Sequence, residues 1–243
     1  MNLTRIFDPS TEQLVALAAD RTVSAVMNAW QADRDAHIVI TGGRSGQALC
    51  KALDFALYRA KAVDRDSKVG EVKGKVHIWF SDERFVANVD PDRNDLALIS
   101  NFKLAKERCN FHRMGSPADS SIEVAAKEYS EQLTAALGQG RFDVVLLSLG
   151  EDGHVASCFP HDSETLDSTN STAAVTNSPK PPAQRITITL SQLARSSQIY
   201  VLAVGEAKRA ALAATMAKSE GMPVELLRRN SLNGQIFVLT DLS

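Results

Sequence analysis

Apolar residues recur along the chain in two alternating rhythms. Residues 11–30 place Val15, Ala18, Val26 and Trp30 at helical spacing, and residues 45–60 do so with Leu49, Ala52, Leu53, Ala56 and Leu57. Between them, His37-Ile-Val-Ile-Thr41 is a β-branched run ending in glycines, the pattern of a buried parallel strand. Lys75–Phe80 predicts a second strand, 92–106 a helix, the neighbourhood of Phe111 a weaker strand, and 121–137 a helix carrying Ile122, Ala126, Tyr129, Leu133 and Leu137. Phe142–Leu149 is the most apolar strand. Arg185–Leu190, Gln198–Val204 and Gln235–Leu239 complete the set, with an alanine-rich helix over 206–218.

This alternation predicts an α/β fold: a Rossmann-like, mostly parallel sheet with helices on both faces, allowing for a small second subdomain. No internal repeat is present, and residues 1–243 read as one domain. The only biased stretch, 162–184, is rich in Ser, Thr, Asn and Pro. It lies between two strands of one apparent sheet, so it reads as a long surface loop beside the site rather than a linker.

Composition narrows the function classes. A net charge of -2 gives no global attraction to nucleic acid or to an anionic membrane, so any anionic ligand must be caught by local basic residues. The three scattered cysteines, Cys50, Cys109 and Cys158, form no C-x-x-C pair and read as small reduced core residues. No apolar run reaches the roughly 18 residues of a membrane span, and the first residues hold no signal-peptide core. The expectation is a cytoplasmic protein.

In doubly wound folds ligands gather at the carboxyl ends of the strands, so the residues just past each strand are the candidates for binding and chemistry. Thr41-Gly42-Gly43-Arg44-Ser45-Gly46 leads into a helix, where free amides and the positive end of the helix dipole suit a phosphate. The loop is neither a Walker A nor a G-x-G-x-x-G fingerprint, and alone it fits a plain tight turn equally well. Ser81-Asp82-Glu83-Arg84 puts two carboxylates and a guanidinium at a strand end, where charges need partners. Gly150-Glu151-Asp152-Gly153-His154 sets a histidine just past the most buried strand, where an imidazole with an ordinary pKa near ~6.5 can act as a base. His37 and His77 lie inside strands as packing residues; His112 and His161 default to the surface. No histidine pair has zinc-ligand spacing with a third ligand, so no metal is expected. Gly205-Glu206-Ala207-Lys208 opens a helix with a lysine against the dipole, as an anion-binding lysine would stand. Arg185 is a further basic candidate. Together these strand ends suit a phosphorylated, carbonyl-bearing sugar.

The ordered series Trp79-Phe-Ser-Asp-Glu-Arg84, Asn94, Leu149-Gly-Glu-Asp-Gly-His-Val-Ala-Ser157 with Phe159-Pro160, Ser178-Pro-Lys-Pro-Pro182 with Arg185–Leu190, and Gly205–Lys208 resembles the 6-phosphogluconolactonase family of the glucosamine-6-phosphate isomerase/lactonase superfamily. The resemblance covers roughly residues 38–240. It implies a hydrolase of the pentose phosphate pathway that acts on a sugar-phosphate lactone without metal or cofactor. His154 falls on the family's general base, Asp82 and Arg84 on its D-E-R motif, and Lys208 on the lysine associated with the substrate phosphate. Two positions depart from the family pattern: Thr41-Gly-Gly-Arg-Ser-Gly46 replaces Ser-Gly-Gly-Ser-Thr-Pro, and Ser148-Leu-Gly150 replaces Gly-Met-Gly. The roles of Arg44 and Glu83 stay open.

The mechanism expected from these residues has His154 activate water against the lactone carbonyl and Arg84 stabilise the developing oxyanion. Asp82 or Asp152 orients the imidazole or the arginine. Gly42, Gly43, Arg44, Ser45, Arg185 and Lys208 hold the phosphate. A Ser–His–Asp triad is not called for, because Ser45 stands in no G-x-S-x-G elbow. The rivals are an amino-sugar-phosphate isomerase/deaminase and a non-catalytic sugar-phosphate sensor. The first normally carries Asn-Glu-Pro where Ala156-Ser-Cys-Phe-Pro160 stands here, and the second often carries a helix-turn-helix. The expected partner is a small-molecule lactone, with no nucleic acid and no membrane, bound by a monomer or weak homo-oligomer.

Overall fold

The computed structural model describes residues 3–66, 74–231 and 234–243. A seven-stranded parallel sheet forms the centre, built from β1 (Leu3–Phe7), β2 (Ala36–Ile40), β3 (Val76–Phe80), β5 (Cys109–His112), β6 (Phe142–Ser148), β9 (Ser196–Ala203) and β10 (Gln235–Thr240). Their order is β1-β10-β9-β6-β2-β3-β5. From β2 the chain builds outward through β3 and β5, then returns to lay β6 on the other side of β2. The loops after β2 and β6 therefore diverge at a topological switch point, where a cleft opens.

Strand alternation divides the core. Val39, Trp79, Val145, Leu147, Ile199 and Val201 point to one face, and Ile38, Ile40, Ile78, Phe80, Val144, Leu146 and Leu202 to the other, all at most 1% exposed. The first set packs on α4 (Ile122–Leu137), the second on α1 (Thr11–Gln31) and α2 (Gly43–Asp66). Each such side chain contributes about 1.5–3 kcal/mol by leaving water. Local signals set the ends: Ser10 caps α1 through Gln13 N, Ser121 caps α4 through Val124 N, and Gly138 closes α4 at φ +53°.

A second, antiparallel sheet orders β4 (Asp82–Arg84), β8 (Arg185–Ile188) and β7 (Thr172–Val175). Ser81 joins the two sheets. Its N–H donates to Ile40 O at 2.9 Å in the central sheet, and its carbonyl accepts Ile188 N–H at 2.8 Å in the small one.

Several expectations need correction. Arg185–Leu190 does not belong to the central sheet: Arg185, Ile186 and Thr187 pair antiparallel with the Asp-Glu-Arg segment, itself a short strand rather than a loop, and Leu190 begins α6 (Leu190–Leu193). The stretch 162–184 is not all loop, since it holds α5 (Ser163–Leu166) and β7. The helix expected over 92–106 contracts to α3 (Asn94–Ile99). Asp54 on α2 breaks its continuation by accepting the N–H groups of Lys103, Leu104 and Ala105 at 2.7–3.0 Å. Lys208 ends a 3-10 turn, Glu206–Lys208, and α7 (Arg209–Met216) begins after it. β1 and α8 (Pro223–Asn230) were not read: β1 is an edge strand with no fully buried residue, and α8 is only 8 residues long. His112 is not a surface residue. It is half-buried, stacked on Trp79 with ring centroids 3.6 Å apart, and joined through His77 to Asp35. His37 and His77 pack as expected, and His161 is exposed. All three cysteines are buried and free. Among the described residues no helix is long and apolar enough to cross a membrane.

Candidate active site

A cleft of about 270 Å³ opens at the carboxyl ends of the central strands, lined by residues from four strand ends, the start of α3, and the start of β8 with the loop that precedes it. Its floor depends on glycines. Gly42 passes under the Asn94 side chain so closely that a Cβ would meet Asn94 Oδ1 at 2.1 Å, and Gly43 starts α2 at φ +68°.

Strand alternation explains the Asp-Glu-Arg segment. Asp82 and Arg84, two residues apart, share the cleft side of β4, while Glu83 points the other way. Glu83 is 1% exposed and accepts N–H groups of Arg84, Asn94 and Asp95 at 2.7–2.8 Å, tying down the start of α3. Burial and the nearby Asp95 push its carboxyl up to about 7 against the pull of these donors. Behind it Arg93, fully buried, pairs with Asp95 at 2.6 Å. Asn94, so held, reaches into the cleft and donates from Nδ2 to Asp82 O at 3.1 Å.

Asp82 accepts the Ser157 hydroxyl at 2.7 Å and the Ser81 hydroxyl at 3.0 Å. The tight turn Val155–Cys158 aims Ser157 there, with Ala156 at φ +52°. Arg84 donates from Nη1 to Asp92 O at 2.6 Å, while its buried Nε has no partner.

The loop after β6 turns sharply: Gly150 N–H donates to His154 O at 2.8 Å, and Gly153 sits at φ +92°. This folds His154 back over Gly150 and sets its Nδ1 2.5 Å from Asp152 Oδ1. Of the two candidate carboxylates, Asp152 is the one against the imidazole. Burial draws the ring's pKa below its ordinary value; the hydrogen bond and charge of Asp152 oppose this without reversing it. Burial raises Asp152, but its contacts with His154 and Lys180 outweigh that and hold it below the usual carboxylate range.

Lys208 also lines the cleft, half-buried, donating to Ser148 Oγ at 2.9 Å; the Ser148 hydroxyl in turn lies 3.3 Å from Ser45 Oγ. Burial lowers its ammonium pKa, and Arg44 adds to the effect. Arg44 itself is exposed and stands outside the cleft lining.

Arg185 lines the cleft at 4% exposure, with two of its three nitrogens engaged: Nε with Pro182 O at 3.2 Å, and Nη2 with Lys180 O and Pro181 O at 3.1 Å each. It clamps the Ser178–Pro182 loop. That loop delivers Lys180, a cleft residue to which sequence reasoning gave no role, although a lysine flanked by prolines was a usable signal. Ser148, Ser157 and Asn94 likewise line or support the site without having been assigned one. Among the described residues no group of three or more His, Cys, Asp or Glu side chains could hold a metal ion.

The sequence family described as glucosamine-6-phosphate isomerases/6-phosphogluconolactonase matches residues 9–237. The chain belongs to this family. Relatives named 6-phosphogluconolactonase include one from Mycobacterium tuberculosis, 35% identical over 227 residues that cover 89% of this chain and 87% of the relative. Another, from Streptomyces coelicolor, is 33% identical and covers 85% of this chain and 80% of its own. The fold matches a crystal structure of a 6-phosphogluconolactonase from Shewanella baltica with a TM-score of 0.77 and 23% identity, over 98% of this chain and 96% of that one. A monomeric glucosamine-6-phosphate deaminase shares the fold at a TM-score of 0.72 and 19% identity, covering 99% and 97%. Proteins named for both activities thus share this fold, and the fold alone does not choose between them.

Proposed function

We propose that the chain hydrolyses 6-phospho-D-glucono-1,5-lactone to 6-phosphogluconate, in the cytoplasm, within the oxidative pentose phosphate pathway. We read it as one catalytic domain over residues 1–243, working as a monomer or weak homo-oligomer. The observation that carries the reading is the Asp152–His154 pair, 2.5 Å apart in a cleft that also holds Arg84 and Lys208.

With Nδ1–H donated to Asp152, the free lone pair of His154 is on Nε2. Nε2 removes a proton from water as its oxygen attacks C1 of the lactone. Negative charge moves to the former carbonyl oxygen, where Arg84 stabilises it. Collapse expels the ring oxygen, which takes the proton held on His154 Nε2, restoring the base and leaving the open-chain acid. Asp82 supplies the counter-charge that keeps Arg84 and Arg185 side by side across the β4–β8 pair.

The phosphate lies against Lys208, Ser148 and the amides of Gly42 and Gly43 at the start of α2, with Ser45 behind and Arg44 at the mouth. Arg185 serves by holding the Lys180 loop and by its positive charge at the cleft.

Glucose-6-phosphate dehydrogenase can generate the lactone in situ, and its decay is then compared with the spontaneous rate. Clear acceleration by the wild type, abolished in His154→Asn, is expected. An unaccelerated decay would falsify the activity, and an equally fast His154→Asn would remove the base. Release of ammonia from glucosamine 6-phosphate would instead support the deaminase chemistry of the family's other branch.

A further inference from the structure

Lys180 comes to the cleft from outside both sheets, yet it is held in place. Its carbonyl accepts from Arg185 at 3.1 Å and from Ser178 Oγ at 2.9 Å, and its N–H donates to Ser178 Oγ at 3.2 Å. Its Nζ lies 3.3 Å from Asp152 Oδ1 and 3.5 Å from His154 Nδ1.

Those distances put three groups in conflict unless protons are placed one way. An ammonium has donors only, so it binds Asp152 Oδ1 as a donor. Two acceptors would repel at the 2.5 Å between His154 Nδ1 and Asp152 Oδ1, so the ring carries its proton on Nδ1 and donates it to Oδ1. Lys180 and the ring thus donate to the same oxygen and fix it between them. The ammonium charge beside the ring opposes a second ring proton, while the carboxylate favours one. The other charged groups lining the cleft are Asp82 and Arg84 on β4, Glu151 in the His154 loop, Arg185 on β8 and Lys208 after β9; the Arg185 guanidinium lies over Phe159, which packs against the imidazole at 4.8 Å. Burial, Lys180 and Asp152 then set a balance that leaves the ring below its ordinary pKa.

We propose that Lys180 is a positioning residue for the Asp152–His154 pair. Its ammonium locks the carboxylate against the imidazole and keeps the ring singly protonated, with the lone pair on Nε2. The proposal rests on the reading of His154 as the base, but its central test does not need substrate. Lys180 is 40% exposed along its side chain, so Lys180→Met is expected to fold.

Ring titration of His154 is followed by nitrogen-15 NMR in wild type, Lys180→Met and the conservative Lys180→Arg, with His154→Asn to assign the signal. In Lys180→Met the ring's protonation midpoint should rise by about one pH unit, the effect of one charge at 3.5 Å in a largely aqueous dielectric. The acid limb of kcat/KM should move upward with it, at little change in KM. Lys180→Arg should return both most of the way. An unmoved midpoint in Lys180→Met, with activity reduced equally at every pH, would overturn the proposal and leave Lys180 a packing residue. A shifted midpoint in a protein that hydrolyses no lactone would uphold the placement of Lys180 and reject the lactonase reading instead.

Discussion

Gly150 lies directly beneath the imidazole of His154: a Cβ at Gly150 would stand 2.0 Å from Nδ1 and 2.2 Å from Cε1. No rotation of a methyl group relieves such an overlap, so the ring must move. Gly150→Ala should therefore lose at least about 100-fold in kcat/KM, the scale on which ångström misplacement of a catalytic group acts. The lactone assay and a thermal melt check this together. A variant melting near wild type but hydrolysing at full rate would show that the ring has a second workable position.

Glu83 caps the start of α3 from a buried position, receiving three backbone N–H groups. Glu83→Ala leaves those donors unpaired and deprives Arg93 of an anion 3.8 Å away. The expected cost is about 2–4 kcal/mol of unfolding free energy, measured by urea titration, with Asn94 freed from its place over Gly42. A loss under about 0.5 kcal/mol would mean water enters and satisfies the donors.

Lys208 sits on the phosphate side of the cleft in the proposed binding mode, remote from the reacting carbonyl. Lys208→Met should raise KM roughly 10–100-fold and change kcat far less, because uniform binding is lost rather than transition-state binding. With unphosphorylated gluconolactone the two proteins should behave alike. An equal penalty on both lactones would place Lys208 at the reacting end instead.

His37 and His112, stacked in the cluster around Trp79, are each pulled down to about 4 by burial, with the charge of His77 adding to it. Their folded-state values lie below the unfolded one near ~6.5, so the neutral rings stabilise the fold above that pH. That stability is lost as pH falls from about 6.5 toward 4, with a slope of up to roughly 1.4 kcal/mol per pH unit for each ring. Urea midpoints measured between pH 7 and 4.5 should fall accordingly. A flat profile across that window would show that neither ring is held neutral by the fold.

Much of the sheet was legible because buried parallel strands advertise themselves. Phe142–Ser148 is apolar on both faces for want of any solvent-facing side, and its boundaries are within one residue of those expected. Strand ends were legible for the same reason: polar and glycine residues there stand out against the runs that precede them. What stayed hidden depends on distant partners. β1 is a strand because β10 offers it a parallel edge, and nothing local to Leu3–Phe7 announces that. β7 and β4 are short strands recruited by β8, and α3 stops early because a carboxylate 49 residues earlier in the chain captures the N–H groups beyond it. His154, the proposed base, was visible from its motif, whereas the place of Lys180 beside it depends on Arg185 folding its loop inward.

Ser81 belongs to the hydrogen-bond ladders of both sheets, and this fixes a parity as well as a position. In β4, immediately beyond it, alternate residues face opposite ways, so Asp82 and Arg84 see the cleft and Glu83 sees the start of α3. One residue added or removed at this joint would exchange those roles, turning Glu83 to the cleft and both of its neighbours toward the α3 backbone. The count of residues between the two ladders is thus itself part of the site's specification, and the segment across Ser81 is where drift in length between relatives is least tolerable.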